Sequence, residues 1–386
     1  MNKISILILI TFILFSCTEK GNSIENTNNN NTFIASNETI SSGGVAFKIL
    51  AYTPKVSITS QGTSKAITGD MNNDGKLDII TLVNDDDDVV IHKQDNSGNF
   101  SSIRVISGNP SKYSIAVTDI DKDNKLDIVV GNGSKGKWYK NNGNDNFTPF
   151  DLPFSGNCFG IAAADMNGDN IVDIIATQNS EIFLCKNNGN QNFEKVIIDN
   201  DLDGACKVEL TDINKDGKMD IILTSDVKDF VRWYKNNGNE TFNKIDVTFA
   251  YGAFDVATAD MDNDGKTDIL VASLNDNTIR YCKNNGDNTF TIHKIFNNAI
   301  QATGVSAADI NNDGKIDIIS SSSADNSIRW YKNNGDNTFA PNIISNNALN
   351  ACDVHTVDID NDGDIDILAV SRGNGSISLF ENKIFP

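Results

Sequence analysis

From residue 45 to the C-terminus, short apolar runs alternate with polar punctuation at a pitch too short for helices. Val305-Ser306-Ala307-Ala308 leads into an acidic loop, residues 316–319 lead out of it, and residues 328–331 alternate again. Alternation of this kind over about four to eight residues marks half-buried strands. Asn-Asn-Gly between such runs supplies the positive φ that a tight hairpin needs. There is no convincing amphipathic helix, and Pro is sparse.

The pattern is one unit written seven times, and that periodicity decides the fold class. Asp-x-Asp/Asn-x-Asp-x-x-x-Asp begins at Asp70, Asp119, Asp165, Asp212, Asp260, Asp309 and Asp358, with spacings of 49, 46, 47, 48, 49 and 49 residues. About twenty residues after most copies comes a second signature. It reads Trp138-Tyr139-Lys140-Asn141-Asn142-Gly143, Trp233-Tyr234-Lys235-Asn236-Asn237-Gly238 and Trp330-Tyr331-Lys332-Asn333-Asn334-Gly335. Weaker copies surround Cys185 and Cys282, and a Phe follows each at Phe147, Phe193, Phe242, Phe290 and Phe339. Four short strands per unit match a propeller blade. The expectation is therefore an all-β, seven-bladed β-propeller of four-stranded blades over residues 45–386. Its last unit lacks an outer strand. Phe47-Lys48-Ile49-Leu50-Ala51 resembles the outer strand Phe290-Thr291-Ile292-His293-Lys294, so an N-terminal strand is expected to complete that blade and close the ring.

The first residues follow another pattern. Lys3 precedes a mostly apolar run over residues 4–15, too short to span a bilayer and typical of an export signal. Leu14-Phe15-Ser16-Cys17 resembles the lipobox of bacterial lipoproteins. That resemblance implies a signal peptide over 1–16, lipidation at Cys17 and, with Thr18 following, the outer membrane or cell surface. Residues 17–44, rich in Asn, Ser, Thr and Gly, read as a flexible tether.

Charge sharpens the picture. Lys and Arg number 32 against 52 Asp and Glu, a formal charge of −20. Phosphate-rich partners would be repelled, which excludes nucleic acid and leaves the lipid anchor as the membrane contact. The acidic residues are placed, not scattered: 24 of them are Asp at motif positions.

Oxygens at positions one, three, five and nine of each motif, with a backbone carbonyl at seven, can converge on one hard cation. Gly at position six permits the turn. The expected ligands are Asp70, Asn72, Asp74 and Asp78 in the first loop, and Asp119, Asp121, Asp123 and Asp127 in the second. The third uses Asp165, Asn167, Asp169 and Asp173, and the fourth Asp212, Asn214, Asp216 and Asp220. Asp260, Asp262, Asp264 and Asp268 form the fifth, and Asp309, Asn311, Asp313 and Asp317 the sixth. Asp358, Asp360, Asp362 and Asp366 form the seventh. An all-oxygen set with tolerant geometry selects calcium over magnesium, zinc or copper. An EF-hand would need Glu at position twelve, which is instead Thr81, Val130, Ala176, Leu223, Val271, Ser320 and Ala369. Up to seven structural Ca²⁺ ions are expected. Without residues 1–16 and their one Lys the charge is −21, and seven such ions would bring it to −7. Asn124 and Asn170 stand at the Gly position, marking those two loops as weaker sites.

This repeat resembles the FG-GAP-like, or VCBS-type, repeat of calcium-binding β-propellers. The resemblance implies calcium hairpins on one face and ligands on the other. There, Tyr113, Phe159, Tyr251 and Phe254 are candidate sugar platforms, although Phe159 and Phe254 also suit gaps between blades. Lys207 with Glu209, and Asp353 with His355, lie two residues apart on innermost strands and are expected to line a central channel. Tyr113, Tyr251, Lys207 and His355 are the ligand-binding candidates. No Gly-x-Ser-x-Gly, HExxH or P-loop occurs, so a non-catalytic adhesion module for extracellular or periplasmic glycan or protein leads over a lyase-like, polysaccharide-degrading alternative. Cys185 and Cys282 read as buried thiols, and Cys158 with Cys206 is a candidate bridge.

Overall fold

A computed structural model of the chain describes residues 34–42, 45–52, 62–83, 88–107, 114–131, 135–156, 158–178 and 180–383. The signal over 1–16, Cys17, much of the tether and Tyr113 lie outside the described residues.

Each repeat folds as one antiparallel sheet whose strands pair in chain order. In the fifth, Ala253–Ala259, Asp268–Ser273, Thr278–Asn284 and Phe290–Phe296 run from innermost to outermost. The other sheets start from Thr63–Gly69, Ile115–Thr118, Ile161–Ala164, Ala205–Thr211, Ala302–Ala308 and Ala351–Val357. These innermost strands neighbour one another in turn, and Ala351–Val357 returns to Thr63–Gly69. The fold is the seven-bladed β-propeller that the sequence predicts, with no helix among the described residues.

Burial follows from stacking blades face to face. The second strand of a blade is covered on both faces, so Asp268–Ser273 and Asp366–Ser371 are buried at every position. Among the described residues the apolar core is divided into seven clusters, one per seam. Ile319 and Trp330 of blade six meet Ala351 and Phe380 of blade seven, and Ile79 and Phe100 of blade one meet Leu368 and Leu379 of blade seven. Trp138, Trp233 and Trp330 are fully buried, as their recurrence at one strand position implies.

The last sheet carries the N-terminal segments. Val45–Tyr52 pairs with Ser376–Lys383 from Ala46↔Lys383 to Tyr52↔Ile377, and Ile34–Ser42 pairs with its far side. Residues 34–42 thus form a peripheral fifth strand where the sequence suggests tether. A polar composition reads as linker, but an edge strand needs backbone pairing on one side only.

The seams are also stapled by an amide that the repeat supplies. Asn236, the last residue of Phe230–Asn236, donates from Nδ2 to Met219 O of its own blade at 3.0 Å and to Met166 O of the preceding blade at 2.7 Å. Its Oδ1 accepts Gly238 N at 2.8 Å. Asn141, Asn187, Asn284, Asn333 and Asn382 make the same cross-blade bond, to Met71, Ile120, Ile213, Met261 and Ile310. Blade one has Gln94 at this place. Asn236→Ala orphans two carbonyls and an N–H, so it should cost about 2 kcal/mol. Urea unfolding checks this, and a loss within error of zero would show that the seam does not need the staple.

The five described cysteines are free thiols. Cys158 Sγ donates to Gly160 O and Cys206 Sγ to Gly204 O, so the candidate bridge does not form. Cys185 and Cys282 are fully buried, and burial pushes the Cys282 thiol up to about 12.

Candidate functional site

The acidic motif joins the first and second strand of every blade, which puts all seven loops on one face of the disc. Positions four and six both take positive φ: Asn263 at 57° and Gly265 at 84° in the fifth loop, Lys122 at 62° and Asn124 at 65° in the second. Asn124 and Asn170 thus adopt the backbone that Gly adopts elsewhere.

Two left-handed residues wrap the loop around its first carboxylate. Asp260 Oδ1 accepts Asp264 N at 3.0 Å, and Asp260 Oδ2 accepts Gly265 N at 2.8 Å. Asp264 Oδ1 accepts Lys266 N at 2.9 Å. Position nine is buried and does separate work. Asp268 Oδ2 accepts Met261 N at 3.0 Å, and Asp268 Oδ1 accepts Asn284 N at 2.8 Å, tying the loop to the end of the third strand. The Asn284 bond recurs in every blade, from Gln94 to Asn382. Burial pushes the Asp268 carboxyl up to about 6, against these backbone donors. In the seventh loop, burial with Asp360 and Asp362 nearby pushes Asp366 up to about 8.

The carboxylates converge as a cation site requires. Oxygens of Asp119, Asp121 and Asp127, of Asp260, Asp262 and Asp268, and of Asp358, Asp360 and Asp366 lie within 4.8 Å of one another. In the first, fourth and sixth loops position three is Asn, and its amide donates to position five, as from Asn72 to Asp74 at 3.1 Å. A lysine from the third strand reaches over the loop. Lys283 pairs with Asp262 and Asp264, Lys140 with Asp121 and Asp123, and Lys383 with Asp360 and Asp362. The donor set is all oxygen, crowded with negative charge, and already attracts cations: it fits a hard divalent ion.

The opposite face carries the turns between second and third strands and the links between blades. Exposed apolar groups gather there: Val227, Phe249, Tyr251, Ile300 and Leu349, with Phe249 71% and Tyr251 50% exposed. Between the innermost strands is a cavity of about 840 Å³ that reaches this face at Asp226, Val227, Leu274 and Arg372. Phe159 and Phe254 stand on its wall, as do Lys207 and Glu209.

Register explains which side chains meet there. Five residues before the loops come Lys65, Ser114, Gly160, Lys207, Asp255, Gly304 and Asp353; three before come Ile67, Ala116, Ala162, Glu209, Ala257, Ser306 and His355. Lys65 Nζ lies 3.3 Å from Asp353 Oδ1, and Lys207 Nζ lies 3.5 Å from Asp255 Oδ1. The second oxygens of those carboxylates accept Ala66 N at 3.2 Å and Val305 N at 3.0 Å, each across a seam. Burial opposes charge on Lys207, but Asp255, Glu209 and Asp353 outweigh it and raise its pKa. Burial, reinforced by Lys207 and Lys65 against Asp353, holds His355 below its ordinary value; its Nε2 lies 3.4 Å from Thr68 Oγ1.

Lys207 and His355 are thus both near the cavity, whereas Tyr251 stands outside on the rim. The cross-blade Asn and the loop lysines escaped sequence reasoning, although both recur visibly in Lys-Asn-Asn-Gly.

The FG-GAP-like repeat model matches residues 70–130, 119–176, 165–223, 212–271, 260–320 and 311–369. No curated protein matches the chain. Among solved structures, one similar in fold is an Agrocybe aegerita lectin described as recognising non-reducing terminal N-acetylglucosamine. It is 22% identical, with 74% of this chain and 81% of that chain covered and a TM-score of 0.54. Two others are of BBS1N in complex with ARL6DN, soaked with mercury or with lead. They are 12% and 11% identical, cover 84% of this chain and 93% and 94% of theirs, and have TM-scores of 0.56 and 0.59.

Proposed function

The chain belongs to the FG-GAP-like repeat family, and from that premise we propose that it is a calcium-stabilised, non-catalytic binding module for a surface glycan. In this reading the four motif positions of each loop hold Ca²⁺, which neutralises carboxylates that the fold forces together. Val45–Tyr52 latches the ring. Cys17 carries a lipid anchor to the outer membrane or cell surface, with the ligand extracellular or periplasmic.

The observation that carries the binding reading is Tyr251, half exposed just after Phe249 in the link that follows Phe242–Phe249, on the face away from the acidic loops. An exposed aromatic ring with apolar neighbours suits the C–H face of a sugar. The lectin among the similar folds supports this ligand class; the BBS1N–ARL6DN complexes make a protein ligand the outcome to test against.

The full chain displayed on cells should bind a subset of a glycan array, and Tyr251→Ala should weaken that binding about tenfold, the scale of one aromatic contact. Cys17→Ser should move the binding activity from the membrane to the soluble fraction. Glycan binding unchanged by Tyr251→Ala would remove the rim from the site, and binding to proteins alone would replace the ligand class.

A further inference from the structure

The central cavity holds a carboxylate without a bonded partner, which the rim does not explain. Lys65 is matched by Asp353 and Lys207 by Asp255, and each of those carboxylates is completed by a backbone N–H. Glu209, one register step deeper than Lys207, makes no hydrogen bond or ion pair among the described residues. Burial holds His355 below its ordinary value, and Asp226 and Arg372 add one charge of each sign at the mouth. Glu209 is therefore the innermost-strand carboxylate of this cavity without a bonded partner among the described residues. Lys207 and Lys65 act on it electrostatically but are paired closely with Asp255 and Asp353, and the wall it shares includes the apolar Ala162, Val208 and Ile67.

A lone carboxylate in a partly enclosed site loses part of its hydration, and a cationic ligand recovers that cost by supplying the missing donors. The cavity is large enough for a small organic molecule, with apolar wall on most sides. We propose that this cavity binds a small organic cation, a primary amine on an apolar or hydroxylated body, with its ammonium received by Glu209. This inference does not rest on the glycan reading, since Tyr251 lies outside the cavity.

Isothermal titration of the calcium-loaded full chain with glucosamine and 1,6-diaminohexane tests it, with N-acetylglucosamine and 1,6-hexanediol as neutral counterparts. At least one amine should bind, its neutral counterpart should bind at least about tenfold more weakly, and Glu209→Gln should cost the amine a similar factor. Ala257→Lys, at the same register on the adjoining blade, supplies an internal ammonium and should abolish amine binding even if Glu209→Gln perturbs folding. Tyr251→Ala should leave amine binding unchanged, which separates this result from the glycan test. Equal binding of amine and neutral counterpart, undiminished binding by Glu209→Gln, or no binding of either amine at 10 mM, a concentration about tenfold above a millimolar Kd, would overturn the proposal.

Discussion

In EDTA the protein should melt far below its midpoint in about 1 mM calcium, with the largest stability change of any treatment proposed for it. For a Kd of about 0.1 mM per loop, linkage contributes about 1.4 kcal/mol at each site, and seven sites sum to on the order of 10 kcal/mol. That is comparable with the entire stability of many domains. Position nine is buried at Asp78, Asp127, Asp173, Asp220, Asp268, Asp317 and Asp366, where desolvation chiefly raises its pKa, so a bound cation would relieve a cost that the fold imposes.

The pH dependence follows with a definite sign. A carboxyl whose folded pKa is raised stabilises the fold below its unfolded value near 4, and that stability is lost as pH rises through the folded value. Six of these groups sit at about 6 and Asp366 at about 8. In EDTA the protein should therefore lose stability between pH 4 and pH 8, the window those values define. Calcium should flatten or invert that slope, because the ion replaces the protons. Calorimetry in EDTA and in calcium across this range checks both statements; a midpoint indifferent to chelation would remove calcium from the account.

How much of this was legible in the sequence depended on distance along the chain. The seven loops, their strands and the buried Trp138, Trp233 and Trp330 follow from local pattern, because alternation and positive-φ turns are written within a few residues. Asn236 shows where local reading stops. In Asn-Asn-Gly it looks like turn chemistry, and Gly238 does take a φ of 81°. Yet its main bond reaches Met166, 70 residues earlier, on another blade. Lys65 and Asp353 are 288 residues apart, and only ring closure brings them together. The sequence places Lys207, Glu209, Asp353 and His355 toward a central channel, and Lys207 and Glu209 line the cavity; which charges pair depends on how blades adjoin. Residues 34–42 misled for the opposite reason, since composition says little about a strand held by backbone bonds alone.

Asp268→Ala should destabilise the protein even in EDTA, by about 3 kcal/mol, because position nine pins the fold before it meets any metal. The side chain accepts Met261 N and Asn284 N and also the Tyr281 hydroxyl, at 3.0, 2.8 and 3.2 Å. Orphaning three such donors costs roughly 6 kcal/mol. Against this, removing a carboxylate whose pKa burial has pushed up to about 6 returns roughly 3 kcal/mol at neutral pH. The orphaned donors win, but by less than a count of hydrogen bonds suggests. Asp268→Asn relieves the charge and keeps one acceptor while turning an NH₂ toward a backbone donor, so its loss should be smaller than that of Ala. Adding calcium should widen the gap between wild type and both variants, since the fifth loop then loses its ion as well. Urea unfolding in EDTA and in calcium separates the two roles. If Asp268→Ala matched the wild type in EDTA and fell behind only in calcium, position nine would serve the metal alone, and the hydrogen bonds to Met261 and Asn284 would be incidental to stability.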